Sequence, residues 1–290
     1  MIRYIPWIFV WIWSTGFLAA KYGLPYSEPF ILLSYRFALT LVVLLPIIFI
    51  QKRKWADSWP DFFHLLIAGI LIHGIYLGGV FQVIKWGMPA GLTSMVIGLQ
   101  PIIMAFISSI MLEELITKKQ WAGLSIGLVG LYLVLSGHIN FGLIQELNNF
   151  SLVLIFIALI AVSFGVIYQK RFCNSMDLIT GTWIQYFGAF VVSLSISMLF
   201  EAGEIKWELP FIITLAWQVL GLSIGAVLLL MVMIKKHASA IVGSYFYLVA
   251  PAVAIQAWFL FDESLNMTVV IGIVLISLGV SISISNKDTS

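Results

Sequence analysis

Long runs of this chain are apolar at every position. Stretches such as LTLVVLLPIIFI show neither the alternation of a strand nor the polar face of a soluble helix, and short polar joints separate them. A helix needs about 20 apolar residues to cross a hydrocarbon core of about 30 Å. On that measure the chain divides into ten spans. The first half gives Ile5–Ala20, Pro29–Ile50, Phe62–Val83, Ala90–Leu112 and Lys119–Gly137; the second gives Ser151–Gln169, Leu178–Phe200, Leu209–Ile234, Ser239–Phe261 and Met267–Ile284. Strands of a membrane barrel alternate over about ten residues, so only helices can satisfy the backbone of such segments in lipid. The expected fold class is an all-α integral membrane protein of ten transmembrane helices. No joint is long enough for a folded soluble domain, which excludes ATP-driven transport with a nucleotide domain in the same chain.

Composition narrows the classes further. The 290 residues include 15 Lys and Arg and 13 Asp and Glu, 10% of the chain, against 61% hydrophobic residues. Soluble domains carry about 25% charged residues, and the mean hydropathy here is +1.07. A water-soluble enzyme is excluded. With a net charge of +2 and no basic run beyond Lys52–Lys54, so are a disordered chain and a nucleic-acid partner. The lone Cys173 excludes a disulfide framework and any cysteine-based metal centre. His64, His138 and His237 have no metal-ligand spacing, and no cofactor is expected.

Charge is distributed unevenly among the joints. Arg3, Lys52, Arg53, Lys54, Lys118, Lys119, Lys170, Arg171, Lys235, Lys236 and Lys287 fall on one side, and only Lys21, Lys85 and Lys206 on the other. The positive-inside rule then puts both termini in the cytoplasm. Arg3, the apolar run after it and Ala19–Ala20 have the outline of a signal peptide. The first span nevertheless has a counterpart in the second half, and it is read as retained.

That counterpart belongs to a repeat. At an offset of 150, Pro101 falls on Pro251, Glu113 on Glu263, Ser94 on Ser244 and Lys85 on Lys235. At 149, Ser14, Gly16 and Lys21 fall on Ser163, Gly165 and Lys170, and Arg36 falls on Gln185. The two units are residues 1–140 and 150–286. Five spans is an odd number, so the copies enter the membrane from opposite sides as two inverted five-helix repeats. A substrate site is expected between them, near the bilayer midplane.

The segments WIWSTGFLAAKYGLPYSEPFILLSYRF, GMPAGLTSMVIGLQPIIMAFISSIMLEE and ASAIVGSYFYLVAPAVAIQAWFLFDES resemble the EamA family of the drug/metabolite transporter superfamily. The resemblance covers nearly the whole chain as two copies. Each copy carries a mid-helix proline, an acidic helix end and a glycine-rich next helix. It implies a ten-helix carrier in the bacterial cytoplasmic membrane, usually an exporter of amino acids, other metabolites or toxic compounds. It does not imply one substrate.

Polar groups deep in a span are expensive and mark candidate sites. His73 shares a helical stripe with Gly69, Tyr76 and Val80, either as a cavity-facing ring or as a histidine bonded to a neighbouring helix. Trp13 and Ser14 lie mid-span in the first helix. Pro101 and Pro251, in the middle of the fourth and ninth spans, free the carbonyls of Ile97 and Tyr247 and are read as gating kinks rather than simple bends. Around them Ser94, Gln100, Ser244 and Tyr247 are the polar lining candidates, with Gln256 weaker. Arg36 is expected to reach outward, toward Glu28, in a structural role, with substrate contact as the second reading.

Several motifs read as structure. Glu113–Glu114 precedes Thr117-x-x-Gln120, a capping box, and Asp262–Glu263–Ser264 holds the matching place in the second half. No carboxylate falls near the middle of a span, so no carboxylate proton wire is visible. GLSIG, at Gly123–Gly127 and Gly221–Gly225, matches a nucleophile motif. It lies in apolar helices, where small residues four apart serve close packing. The resulting expectation is a secondary exporter of small metabolites such as amino acids, working by alternating access. A multidrug or toxic-cation exporter is the alternative; a lipid scramblase or intramembrane enzyme ranks below both. Expected partners are a small-molecule substrate and membrane lipids, with the chain as monomer or homodimer.

Overall fold

A computed structural model describes residues 4–138, 149–261 and 266–284. Among these residues the regular structure is helical, with no strand. The helices group into ten rods: α1 Ile5–Gly23, α2 Pro29–Ile50, α3 Trp59–Lys85, α4 Ala90–Met111, α5 Lys118–His138, α6 Asn149–Phe172, α7 Leu178–Phe200, α8 Leu209–Lys236, α9 Ser239–Tyr247 with Val249–Phe261, and α10 Met267–Ile284. Eight of them are long and apolar enough to cross a membrane. The other two, α1 and α5, have 19 and 21 residues. The protein is an all-α, multi-pass helical bundle.

The principal packing partners form a pattern. α2 packs on α7, α4 on α9 and α5 on α10; α3 packs on α6 and α7, while α1 and α2 both pack on α8. α4 also meets α6, and α1 meets α9. Exchanging each of the first five rods with the rod five places later leaves these pairings unchanged.

Two rods are interrupted where the sequence reading has continuous spans. α4 breaks between Ala90–Ile97 and Gln100–Met111, and α9 breaks at Leu248. Proline lacks an N–H and its ring clashes with the carbonyl four residues back. The chain answers with single tight turns: Leu99 N–H donates to Val96 O at 3.1 Å, and Leu248 N–H to Tyr245 O at 3.1 Å.

A second departure has no proline. α3 and α8 each contain a π-helical segment, Ile70–Ile75 and Gln218–Ala226. The wider turn adds a residue and rotates the faces on either side of it, and such segments gather at functional sites.

Close contacts follow glycine. A Cβ at Gly123 would lie 2.5 Å from Gly279 O, and one at Gly130 would lie 2.7 Å from Gly272 O, so α5 and α10 meet backbone to backbone. The first GLSIG copy is thus a packing seam. The predicted capping box is present at α5: Gln120 N–H donates to Thr117 Oγ1 at 3.2 Å, and Thr117 N–H to Gln120 Oε1 at 2.8 Å. Its expected counterpart at Asp262–Glu263–Ser264 lies outside the described residues.

Both ends of the bundle are tied across the halves. At one end the Glu201 carboxylate accepts the backbone N–H groups of Phe30 and Ile31, each at 2.8 Å, where the first turn of α2 has orphan donors. At the other end Glu114 pairs with Lys170 at 2.6 Å and accepts from Ser239 N–H at 3.0 Å. Glu114 therefore serves a helix start, that of α9 rather than of the rod that follows it.

Candidate functional site

A cavity of about 30 Å³, room for a single water or so, lies between the halves. Trp13 of α1, Arg36 of α2, His73, Tyr76 and Val80 of α3, and Leu222 of α8 are among its walls. His73 precedes Tyr76 within and just after the π segment of α3, and Leu222 sits inside the π segment of α8. Trp13 and Tyr76 face each other as parallel rings, centroids 6.4 Å apart. Phe246 closes edge-on against Trp13 at 5.7 Å.

The charged member is Arg36, with 3% of its surface exposed. Its Nε donates to Oγ of Ser223 at 2.8 Å, a bond that joins α2 to the π segment of α8. The expectation that Arg36 reaches outward to Glu28 is overturned. Glu28 pairs instead with Lys85 at 3.0 Å, and the guanidinium points into the bundle, with the hydroxyls of Tyr186 and Tyr76 beside it. Among the described residues no carboxylate pairs with Arg36.

Neutral polar groups surround this charge. His73, 1% exposed, stacks on Tyr186 with ring centroids 4.4 Å apart, and Phe37 packs on the same tyrosine at 5.4 Å. Gln185, the residue before Tyr186, places its amide next to His73. Yet His73 Nε2 and both amide atoms of Gln185 are buried without a protein partner at hydrogen-bonding geometry, while the Tyr186 hydroxyl lies against Arg36 and Ser223. A buried polar atom left so costs about 1–3 kcal/mol. Several in one place mark a region arranged for something other than stability.

The remaining sequence candidates lie away from these walls. Ser14 donates to Trp11 O at 2.9 Å and accepts from Gln256 Nε2 at 2.9 Å, stapling α1 to α9. Ser94 donates to Gly91 O and Ser244 to Ala240 O, both at 2.7 Å and both within their own helices. Gln100 is fully buried with Nε2 3.4 Å from Met104 Sδ. Tyr247 donates to Leu124 O at 3.1 Å on α5. Pro101 follows the break in α4, with its Cα and carbonyl against Gly243 of α9, and Pro251 follows the break in α9. Gly69 packs on the backbone of Gln185 rather than on the cavity.

Sequence reasoning missed Ser223, Tyr186 and Gln185 as neighbours of the cavity. The available signal was the pairing of Arg36 with Gln185 in the repeat, two polar side chains at matching depth in otherwise apolar rods.

A bundle of ten largely apolar rods with a small arginine-walled pocket between two similar halves defines the class of multi-pass membrane proteins. The model of the EamA-like transporter family matches residues 5–136 and again 149–285. The chain belongs to that family. It is similar to the uncharacterized inner membrane transporter YedA of Escherichia coli K12, 27% identical over 84% of this chain and 77% of that protein. It is also similar to a probable amino-acid metabolite efflux pump of Salmonella typhimurium, 28% identical over 47% of this chain and 44% of the relative. A solved crystal structure covers 98% of this chain and 96% of its own, with a TM-score of 0.78 at 18% identity, a likeness of fold alone.

Proposed function

We propose that this protein is a secondary carrier that exports small metabolites, amino acids as the leading class, across a bacterial inner membrane by alternating access. The observation that carries the reading is the cavity itself, which takes its walls from α1, α2 and α3 of one half and α8 of the other. The symmetric packing of the rods supports ten membrane spans in two five-helix units, residues 1–140 and 150–286. An odd count makes the second unit inverted, and positive-inside charge puts both termini in the cytoplasm.

The ties at the two ends give the cycle a physical form. One end opens when Glu201 releases the amides of Phe30 and Ile31; the other opens when Glu114 releases Lys170 and Ser239. Each state keeps one tie and gives up the other. The breaks at Pro101 and Pro251, with few intrahelical bonds to strain, are the places where α4 and α9 bend in that exchange. The names of the relatives fit this reading, the Salmonella protein for substrate class and the E. coli protein for location.

Reconstitution tests it. Purified protein in proteoliposomes preloaded with unlabelled amino acids exchanges them for labelled external solute, with saturation. Absence of exchange for every solute that the producing cells export more strongly than cells lacking the protein contradicts the reading. Cysteines at positions 148 and 290 label from opposite faces; labelling from the same face removes the inversion.

A further inference from the structure

We propose that Arg36 is the receptor for a single carboxylate on the transported solute, so that the substrate class is small organic carboxylates and not cations. The inference rests on the carrier reading above and deepens it.

Three observations converge. The first is an uncompensated charge. A buried guanidinium is stable only when paired or hydrogen-bonded through most of its donors. Arg36 has five N–H donors; Ser223 takes one at 2.8 Å and the Tyr186 hydroxyl another, the Phe37 ring lies 6.0 Å from the guanidinium, and no carboxylate pairs with it among the described residues, so the charge itself has no counter-charge. The second is place: Arg36 is itself a wall of the cavity between the halves. The third is the company it keeps. His73 Nε2 is buried and unpartnered beside it, and the rings of Trp13 and Tyr76 are the apolar walls that a solute would meet once the cavity widens in transport.

Charge fixes the chemical class. Arginine presents parallel N–H groups that match the two oxygens of a carboxylate. One guanidinium balances one carboxylate, and the ammonium of an amino acid is left to the aromatic faces of Trp13 and Tyr76. A cationic amphiphile in the same cavity meets a like charge with no acid to offset it. The cation-exporter alternative therefore has no support at this site.

The test separates this inference from the carrier reading because it measures binding, with flux as a second readout. Full-length protein in detergent is titrated with matched pairs of L-amino acids and their carboxamides, and with tetraphenylphosphonium as the cation. Melting temperature and tryptophan fluorescence report binding. Ligands that bind the wild type carry the carboxylate, and each loses about tenfold to a hundredfold in affinity as its carboxamide. Arg36→Gln loses the same factor for the carboxylate and binds the carboxamide, a net cation, no more weakly than the wild type does, and Arg36→Lys falls between. Where Arg36→Gln fails to fold, the wild-type pairs decide alone. Equal binding of acid and amide, tightest binding of the cation, or no carboxylate bound at all overturns the proposal. Carboxylate-selective binding without flux in proteoliposomes overturns the carrier reading and leaves this one standing. Flux of a cation at wild-type rate through Arg36→Gln does the reverse.

Discussion

Arg36 on α2 and Gln185 on α7 occupy corresponding positions in the two halves, yet their surroundings differ. Behind Gln185 the partner rod comes very close, because the residue facing it is Gly69, whose added Cβ would run into the Gln185 carbonyl. The position matching Gly69 in the other half is Gln218, a buried side chain that donates to Ala19 O at 3.2 Å. The position matching Gly74 is Ser223, the residue that holds Arg36. At one crossing, then, glycine draws two backbones together. At its counterpart, side chains keep the rods apart, and there the charge and the cavity are found. A repeat supplies a symmetric frame; a binding site for one asymmetric solute needs the symmetry broken, and a few substitutions at matching positions are enough to break it.

The largest expected effect comes from removing the close crossing. Gly69→Val forces α3 from α7 and costs more than about 3 kcal/mol, beyond the usual range for overpacking because backbone is in the way. Gln218→Val, at the matching position, trades one hydrogen bond and one unpartnered oxygen for apolar volume, and stays within about 1 kcal/mol. Denaturant unfolding in detergent compares the two. Equal losses would mean that the crossings are alike after all.

Next come the ties. Glu114→Ala takes its acceptor from Ser239 and leaves Lys170 only the carbonyl of His237, at 3.0 Å, and costs about 1–3 kcal/mol. Glu114→Gln and Glu201→Gln loosen opposite ends, so impermeant thiol reagents reach a cavity cysteine faster from opposite faces of oriented vesicles. Acceleration from the same face in both variants would break the assignment of one tie to each end. A smaller effect is expected at the capping box of α5, where Thr117→Ala costs about 1 kcal/mol in thermal unfolding.

The least conspicuous outcome is a null signal that helps the others. Burial pushes the Cys173 thiol up to about 12, with Asp61 adding to the shift. The thiolate is the reactive form, so maleimide labelling of the native protein at pH 7 is slow and rises about tenfold per pH unit until the pH reaches that value. Fast labelling at pH 7 would place Cys173 at the surface.

Much of the frame was legible in the sequence because apolarity on every side of a 20-residue run has one structural meaning in lipid. The proline breaks were legible as kinks, since Pro101 and Pro251 remove a donor wherever they stand. The π segments were not. Ile70–Ile75 and Gln218–Ala226 use the same residue types as ordinary α-helix, and only the backbone itself, where α3 meets α7 and α8 meets α2, reveals them. The serines mark a similar limit. Ser94 and Ser244 turn to carbonyls of their own helices, an option open to any helical serine, so their presence in a span says little about direction. Arg36 was visible but misplaced. A local reading found Glu28 within reach, while its actual partner, Ser223, is 187 positions away inside a motif that reads as helix packing.

The claim beneath all of this is that one pocket, built from both halves, opens to each compartment in turn. Val80→Cys on a Cys173→Ser background places a thiol in the cavity wall. Charged, membrane-impermeant reagents then modify it from either face of sealed vesicles, and a bound carboxylate slows both reactions. Modification from one face alone, under every condition of substrate and tie, would contradict the account.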